Sequence, residues 1–433
     1  MSAPVLMIAG LASGQGKTTV TAALALAARQ AGQRVQVFKL GPDFIDPMVL
    51  ERASGAPVYQ VDDRMVGLAE SRWRVAQAAA EHDLVLIEGA MGLHDGPPSS
   101  ADLARALDAS VVVLVDAAAM AQTFGAVVQG LARYGAPLRV AGAIANRVAS
   151  EGHARLLSAS LPPEIPLLAA VPRTDATLPS RHLGLASEAH AEFEAAVAPL
   201  AQAIAPQLLP QLATLPRWTG HAEPPVPPAP RLAGRHIAVA RDSAFRFLYP
   251  ANLALLRSLG ARLSFVSPLA DEALPTDCDA LWLPGGYPEL HAAELSAAAR
   301  WRASLHAHVA AGRAVWAECG GLMGLADGLT DLDGQRHAMA GLLPGEVTMQ
   351  RRLVALGVQQ WQPPGGGDTL RGHTFHHSRL DSPLAPHSQA QRLDGSPGEA
   401  LWQRGALRAS YFHAYFPSAP ETVARLFSPE PLP

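Results

Sequence analysis

The stretch Gly10-Leu11-Ala12-Ser13-Gly14-Gln15-Gly16-Lys17-Thr18-Thr19 restricts this chain more than any other. An apolar run over residues 5–9 precedes it and reads as a buried strand, and a helical pattern over residues 20–30 follows. Strand, glycine-rich turn and helix in that order gather backbone N–H groups and the positive end of a helix at one point, which is how a protein cradles phosphate. Gly14 and Gly16 let the backbone curl, Lys17 reaches the outer phosphates, Thr18 offers a hydroxyl to Mg²⁺, and Thr19 completes the cofactor-binding set. The chain is therefore expected to carry a nucleotide site on a parallel α/β sheet.

The usual Gly-x4-Gly-Lys-Thr spacing would put its first glycine where Leu11 stands, whereas Gly10 leaves five intervening residues. This longer loop resembles that of dethiobiotin synthetase and related ATPases. With about 150 residues per domain as a guide, 433 residues imply two or three domains. Charged residues make up 17% and hydrophobic ones 49%, which fits a well-buried α/β protein and not a disordered one. Basic residues (34) are fewer than acidic ones (38), the net charge is −4 and no basic run occurs, so a nucleic-acid-binding surface is not expected. Cys278 and Cys319 are too few for a disulfide scaffold and suit a reducing cytoplasm. No apolar run reaches the ~20 residues that span a bilayer, and no signal-type pattern opens the chain, so a soluble, cytoplasmic protein without membrane partners is the expectation.

A second strand over residues 34–39, ending in Lys39 beside the cofactor, runs into Leu40-Gly41-Pro42-Asp43-Phe44-Ile45-Asp46-Pro47. Two prolines and a glycine forbid regular structure there, so both carboxylates are displayed at the edge of the sheet where ligands bind. Asp43 is placed to hold Mg²⁺ directly or through water, and Asp46 to meet a substrate or a second metal, unless either serves only to form the turn. A buried strand over residues 84–87 ends in Glu88-Gly89-Ala90-Met91-Gly92-Leu93-His94-Asp95. Glu88 is a metal- or water-positioning candidate and Asp95 a second one on the same loop. Strands over 111–115 and 139–145 follow, the latter ending at Asn146, a contact for the nucleotide base.

After a short strand over 162–172, Arg173, Arg181 and His182 are available to anionic substrate groups, or equally to solvent. A helical pattern over 186–204 is followed by prolines at 210, 216, 225, 227, 228 and 230, a density that reads as a stiff connection. The expected organisation is a phosphate-loop domain over 1–211, a proline-rich linker over 212–232 and a second α/β domain over 233–433.

In that second domain a strand over 280–283 stops at Pro284-Gly285-Gly286, whose N–H groups are free to stabilise an oxyanion. Ala317-Glu318-Cys319-Gly320-Gly321 then places a cysteine between a strand and a helix, the outline of a nucleophile elbow, with the helix N-terminus expected to depress the thiol pKa. Cys278 lacks any such turn and reads as core. A nucleophilic thiol needs a base: His413, on a strand expected to end at Pro417, is preferred, and the cluster His373, His376, His377 is left to substrate contact or packing.

With these residues in place the chain resembles the cobyrinate and hydrogenobyrinate a,c-diamide synthase family, glutamine-dependent amidotransferases acting on tetrapyrroles. The resemblance runs nearly end to end, through the phosphate loop, Phe38 to Pro47, Glu88 to Gly96, Arg181 to Leu185, Leu283 to Glu289, Ala317 to Met323, Gly372 to His376 and Ser410 to His413. It implies a class I glutamine amidotransferase-like fold for the second domain, in which Cys319 attacks glutamine with help from His413. It also implies that ATP·Mg²⁺ in the first domain converts a carboxylate of a corrinoid acid to an acyl phosphate for ammonia to attack, with Asp62, Arg181, His182 and His376 toward substrate. A homodimer is compatible with this reading.

The chain departs from the pattern at Tyr415, where a glutamate is common, so a Cys–His dyad is expected. It departs again at Gln60-Val61-Asp62-Asp63-Arg64-Met65, and at His94 and His377, where an aromatic residue is common. The alternatives are a related amidoligase of cobyric acid or nickel-sirohydrochlorin and, outside this class, a partitioning-type ATPase switch.

Overall fold

The computed structural model describes residues 2–174, 189–212 and 214–428. It divides into two compact units, Met1–Pro225 and Val226–Pro433. In the first, strands and helices alternate: β1 (Val5–Gly10), α1 (Lys17–Gln30), β2 (Val35–Leu40), α2 (Ile45–Ser54), β3 (Tyr59–Val61), α3 (Leu68–Glu81), β4 (Leu84–Gly92), α4 (Ser100–Ala106), β5 (Ser110–Asp116), α5 (Thr123–Arg133), β6 (Val140–Val148), α6 (Glu151–Ala159), β7 (Leu167–Pro172) and α7 (Ala189–Leu212). The seven strands pair in parallel in the order β3-β2-β4-β1-β5-β6-β7.

Helices cover both faces, which is why the strands are apolar throughout. Leu24 and Leu26 of α1 join Val197 and Leu200 of α7 on one face, and Val75, Leu103 and Val128 of α3, α4 and α5 pack on the other. The strands that follow β1 in sequence lie first on one side of it and then, from β5, on the other. The turn after β1 therefore opens at the reversal of strand order, where α/β sheets take their ligands.

Helix α7 runs eight residues beyond its expected end at 204 and contains Pro199, Pro206 and Pro210. Interior prolines cost about 3 kcal/mol each in an isolated helix. Here burial of Ile204, Leu208 and Leu212 offsets that cost, and Gln207 and Gln211 bond to the backbone of β7, accepting from Ala170 N at 2.9 Å and donating to Leu168 O at 3.0 Å. Gly125 in α5 packs so closely on the end of α6 that a Cβ would collide with Ser160 O. Gly125→Ala is expected to cost about 1–3 kcal/mol by overpacking, read as a lowered melting temperature.

The second unit continues the alternation with β8 (His236–Ala240), α8 (Pro250–Ser258), β9 (Arg262–Val266), β10 (Ala280–Leu283), α9 (Ala292–Ala297), α10 (Ala299–Ala310), β11 (Ala314–Glu318) and α11 (Gly320–Leu325). It then becomes strand-rich: β12 (Ala326–Thr330), β13 (Arg336–Ala338), β14 (Leu343–Met349), β15 (Ala355–Trp361), β16 (Leu370–His376), β17 (Ser378–Asp381), β18 (Ser388–Arg392), β19 (Pro397–Arg404), β20 (Leu407–Ser410) and β21 (His413–Ala414), closed by α12 (Pro420–Leu426). Ten of these strands form one sheet, β21-β16-β15-β18-β19-β20-β11-β10-β8-β9, and four form a smaller one, β13-β12-β14-β17. From β20 to β9 the large sheet is parallel. Its C-terminal edge therefore gathers the ends of β10, β11 and β20. The strand carrying His413 is two residues long, and the chain turns at Phe416–Ser418 before Pro417 can extend it.

Candidate active sites

The loop after β1 is held in shape by its neighbours. Gly14 and Gly16 adopt φ of 78° and 86°, a left-handed backbone that glycine takes without strain. Asn146, at the end of β6, donates from Nδ2 to Gln15 O at 2.9 Å and stands 2.5 Å from where a Cβ on Gly16 would be. Gln15 in turn accepts from Asp116 N at 2.9 Å. Asn146 thus braces the loop from behind. Lys17 opens α1 and spans the loop mouth, donating to Ala12 O at 2.9 Å and Met91 O at 2.6 Å. Its ammonium is thus held at the mouth of the loop by two backbone carbonyls.

Around it lies a buried charge cluster. Lys39 Nζ meets Asp46 at 2.6 Å, Glu88 at 3.1 Å and Asp43 at 3.7 Å. Thr18 Oγ1 donates to Glu88 Oε1 at 2.7 Å. Burial pushes the Glu88 carboxyl up to about 7 against the pull of Lys39, and burial together with Asp46 raises Asp43. Three carboxylates around one ammonium leave an excess of negative charge in a dry place, and Glu88 Oε2 is buried without a hydrogen-bond partner. A hydroxyl and hard carboxylate oxygens are the donors Mg²⁺ takes, usually with few protein ligands and several from phosphate. The residues fit that ion.

Asp95 accepts from Gly92 N at 2.8 Å and so shapes the loop after β4. Asp62 caps the turn that follows β3, with Oδ1 accepting from Arg64 N and Met65 N at 2.7 and 2.5 Å and Oδ2 buried without a partner. Arg181 and His182 lie outside the described residues.

In the second unit Cys319 sits at the end of β11 with φ 44° and ψ −102°. A non-glycine residue is held there only when its surroundings impose it. The imposition is visible in the flanking glycines. A Cβ on Gly320 would lie 2.8 Å from Gly286 N and 2.9 Å from Pro288 Cδ, and one on Gly321 would collide with Leu283 O. A Cβ on Gly285 would run into the His413 ring, so the glycine pair after β10, the cysteine turn and the imidazole are packed together. Cys319 N donates to Ser410 O at 2.7 Å, tying the nucleophile turn to β20 three residues before His413.

His413 is buried, and its ring stacks on His373 with centroids 5.0 Å apart; Tyr249 Oη meets His373 Nδ1 at 3.1 Å. Burial, reinforced by His373 and His376, holds the His413 pKa well below its usual value, and burial alone takes His373 to about 3. His413 is therefore a neutral imidazole, the form a general base must have. The thiol differs from expectation: burial, then the charge of Glu289, push Cys319 up, because α11 has only six residues and its Gly320 N–H is too weak an opposing influence. Cys278 donates its thiol to Ala280 O at 2.9 Å and is core.

Three carboxyl groups near the thiol were given no role from sequence. Glu318 accepts from Trp316 Nε1 at 2.7 Å and from Ala414 N at 3.3 Å, pinning the strand of the nucleophile to the residue after His413. Burial raises its carboxyl to about 8. Because the folded state holds this proton more tightly than the unfolded one, its contribution to stability is complete below pH 4.5 and is lost as pH rises to about 8. Glu318→Gln keeps an acceptor and removes that loss, so the melting temperature of the variant relative to the parent is expected to climb across this window. Glu289 closes the stretch Leu283 to Glu289, but nothing in the sequence marks its carboxyl as half-buried beside the thiol turn. Glu399 had no motif at all; it accepts from Thr374 Oγ1 at 2.9 Å and pairs with His376 Nε2 at 3.1 Å, while the His376 ring stacks on Tyr411 at 3.9 Å.

Against known proteins, residues 6–185 match the family model described as the CobQ/CobB/MinD/ParA nucleotide binding domain, and residues 236–421 the CobB/CobQ-like glutamine amidotransferase domain. The chain is 50% identical to a protein of Herminiimonas arsenicoxydans named cobyrinate a,c-diamide synthase, over 99% of this chain and 98% of the other. It is 51% identical to the hydrogenobyrinate a,c-diamide synthase of Stutzerimonas stutzeri over 98% and 99%, and 50% identical to that of Pseudomonas aeruginosa over 98% of each.

Proposed function

The chain belongs to the cobyrinate and hydrogenobyrinate a,c-diamide synthase family, and from that premise we propose that it amidates the a and c side-chain carboxylates of a corrinoid acid, using ATP and glutamine. The observation that carries the reading is the pairing, in one chain, of a cysteine in a strained elbow beside a neutral buried imidazole with a phosphate loop facing a carboxylate cluster.

In the second unit the Cys319 sulfur attacks the side-chain amide carbon of glutamine as its proton passes to His413. Backbone N–H groups of the Gly285-Gly286 turn stabilise the oxyanion. The C–N bond then breaks, His413 returns the proton to the leaving nitrogen, and ammonia departs from a glutamyl thioester that water hydrolyses. In the first unit a substrate carboxylate oxygen attacks the terminal phosphorus of ATP and ADP leaves. Ammonia then attacks the acyl phosphate and inorganic phosphate leaves.

Gly14, Gly16, Lys17, Thr18 and Thr19 hold the phosphates, with Lys39 ordering the carboxylates around them. Asp43, Thr18 and Glu88 would hold Mg²⁺, which when bound neutralises phosphate charge during transfer. Asp46 and Asp95 are assigned to the same carboxylate-activating step, Asp46 through its ion pair with Lys39 and Asp95 through the loop it shapes, and Asn146 is a brace for the loop. Asp62, Arg181, His182 and His376 are kept toward the substrate. The ATP-dependent step is assigned to residues 1–211 and glutamine cleavage to 233–433, and two unpaired cysteines fit a reducing cytoplasm.

Measuring ADP release by the purified chain with and without a metal-free or cobalt-bearing corrinoid acid tests the reading. Release that depends on the corrinoid supports it. Equal release without any corrinoid favours a simple ATPase switch and sinks it. Gly285→Ala is expected to lose glutamine-driven turnover while keeping ammonium-driven turnover, because its methyl group displaces the His413 ring.

A further inference from the structure

We propose that Glu289, seconded by Glu399, binds the α-ammonium group of the donor glutamine, so that only a free amino acid is both held and activated at Cys319. The inference rests on Cys319 being the glutamine-attacking thiol and names what selects its substrate.

Glu289 lies in the turn that follows Gly285-Gly286-Tyr287-Pro288, and this turn packs directly against the first residue of the helix behind the thiol, with Gly286 N and Pro288 Cδ both within 3 Å of the Cβ position of Gly320. Glu289 is half-buried, and desolvation drives its carboxyl up to about 7, relieved only by its own backbone N–H. Among the described residues no cationic side chain forms an ion pair with it. Glu399 reaches the same point from β19, fixed through one oxygen by Thr374 Oγ1 and His376 Nε2. Glu399 is brought to the thiol by packing, since Cys319 N donates to Ser410 O, Tyr411 follows Ser410, and the Tyr411 ring stacks on that of His376, the partner of Glu399; both carboxylates raise the thiol pKa.

Two acids beside a thiol that must ionise work against catalysis, since each holds the sulfur proton more firmly. That arrangement is productive only if a cation arrives with the substrate. The amide of glutamine lies at the end of a short chain whose other end carries an ammonium, fully charged at neutral pH. Bound between the two carboxylates, it supplies the missing partner for Glu289 and cancels the field opposing thiolate formation. Amides without an α-amino group, or free protein glutamine side chains whose amino group is acylated, bring no such cation.

The test uses the full chain and reads glutamate release, ammonium-driven amidation and the rate of Cys319 alkylation by iodoacetamide. Removing one member of a buried charge pair typically costs a factor of about 30 or more, so Glu289→Gln is expected to lower kcat/KM for glutamine by that much, chiefly through KM. Ammonium-driven amidation stays unchanged, and alkylation of the substrate-free variant speeds up and shifts to lower pH. Glutaramate, which is glutamine without its amino group, should be a poor substrate for the parent and lose less than glutamine does on going to the variant. Glutaramate cleaved as well as glutamine by the parent overturns the proposal whatever the variant does. So does a Glu289→Gln protein with unchanged KM for glutamine, or one whose alkylation does not accelerate. A parent chain that releases no glutamate at all refutes the reading of Cys319 instead, a distinguishable result.

Discussion

Cys319→Ala is expected to abolish amidation driven by glutamine, by roughly six orders of magnitude as for a serine nucleophile, and to leave amidation driven by an ammonium salt near the parental rate. The argument is that the thiol has one task. Cys319 is tied by its N–H to Ser410 and held at φ 44° by glycines that admit no side chain, so its removal leaves the packing around it in place. The phosphate-loop unit is a separate compact unit and has no need of the thiol once ammonia is supplied. Steady-state rates with each nitrogen donor decide the matter. Equal losses with both donors would mean that the cysteine supports the fold or the synthase step, and no loss with glutamine would remove it from the chemistry.

Lys17→Ala is the complementary experiment, expected to reduce turnover with both nitrogen donors by about 10²–10³-fold, the usual effect of deleting one charge aimed at a transition state. In the structure its ammonium bridges Ala12 O and Met91 O across the loop, the place where phosphate charge must be met. Glutamate release from glutamine, measured without ATP, should survive, because Cys319 and His413 belong to the other unit. A Lys17→Ala protein that loses nothing would deny the loop its nucleotide.

The phosphate loop and the cysteine elbow were legible in the sequence because both are local: a strand, a turn of small residues and a helix follow one another within about twenty positions. Lys39, Asp43 and Glu88 were legible for a related reason, since parallel sheets present the ends of their strands along one edge whatever their spacing in sequence; Asp46 instead lies in the first turn of α2, not on the irregular loop expected from its prolines, because a helix tolerates Pro47 in its first turn. What could not be read is what depends on burial and on distant pairing. The direction of the Cys319 shift follows from desolvation and from the nearness of Glu289, and neither burial nor nearness has a sequence signature. Glu399 meets His376 only because β18 and β19 fold back beside β15 and β16, and Glu399 itself lies in no motif. The extension of α7 through Pro206 and Pro210 was hidden likewise, since it depends on Gln207 and Gln211 reaching the edge strand β7.

The most direct test of the account follows nitrogen through one incubation of the intact chain with a corrinoid acid, ATP, Mg²⁺ and glutamine carrying heavy nitrogen in its side-chain amide. The account predicts heavy nitrogen in the product amides, one ADP formed for each amide, and no amide when ATP is withheld. Amides that appear without ATP, or that carry no label while glutamine is the only donor, would contradict it.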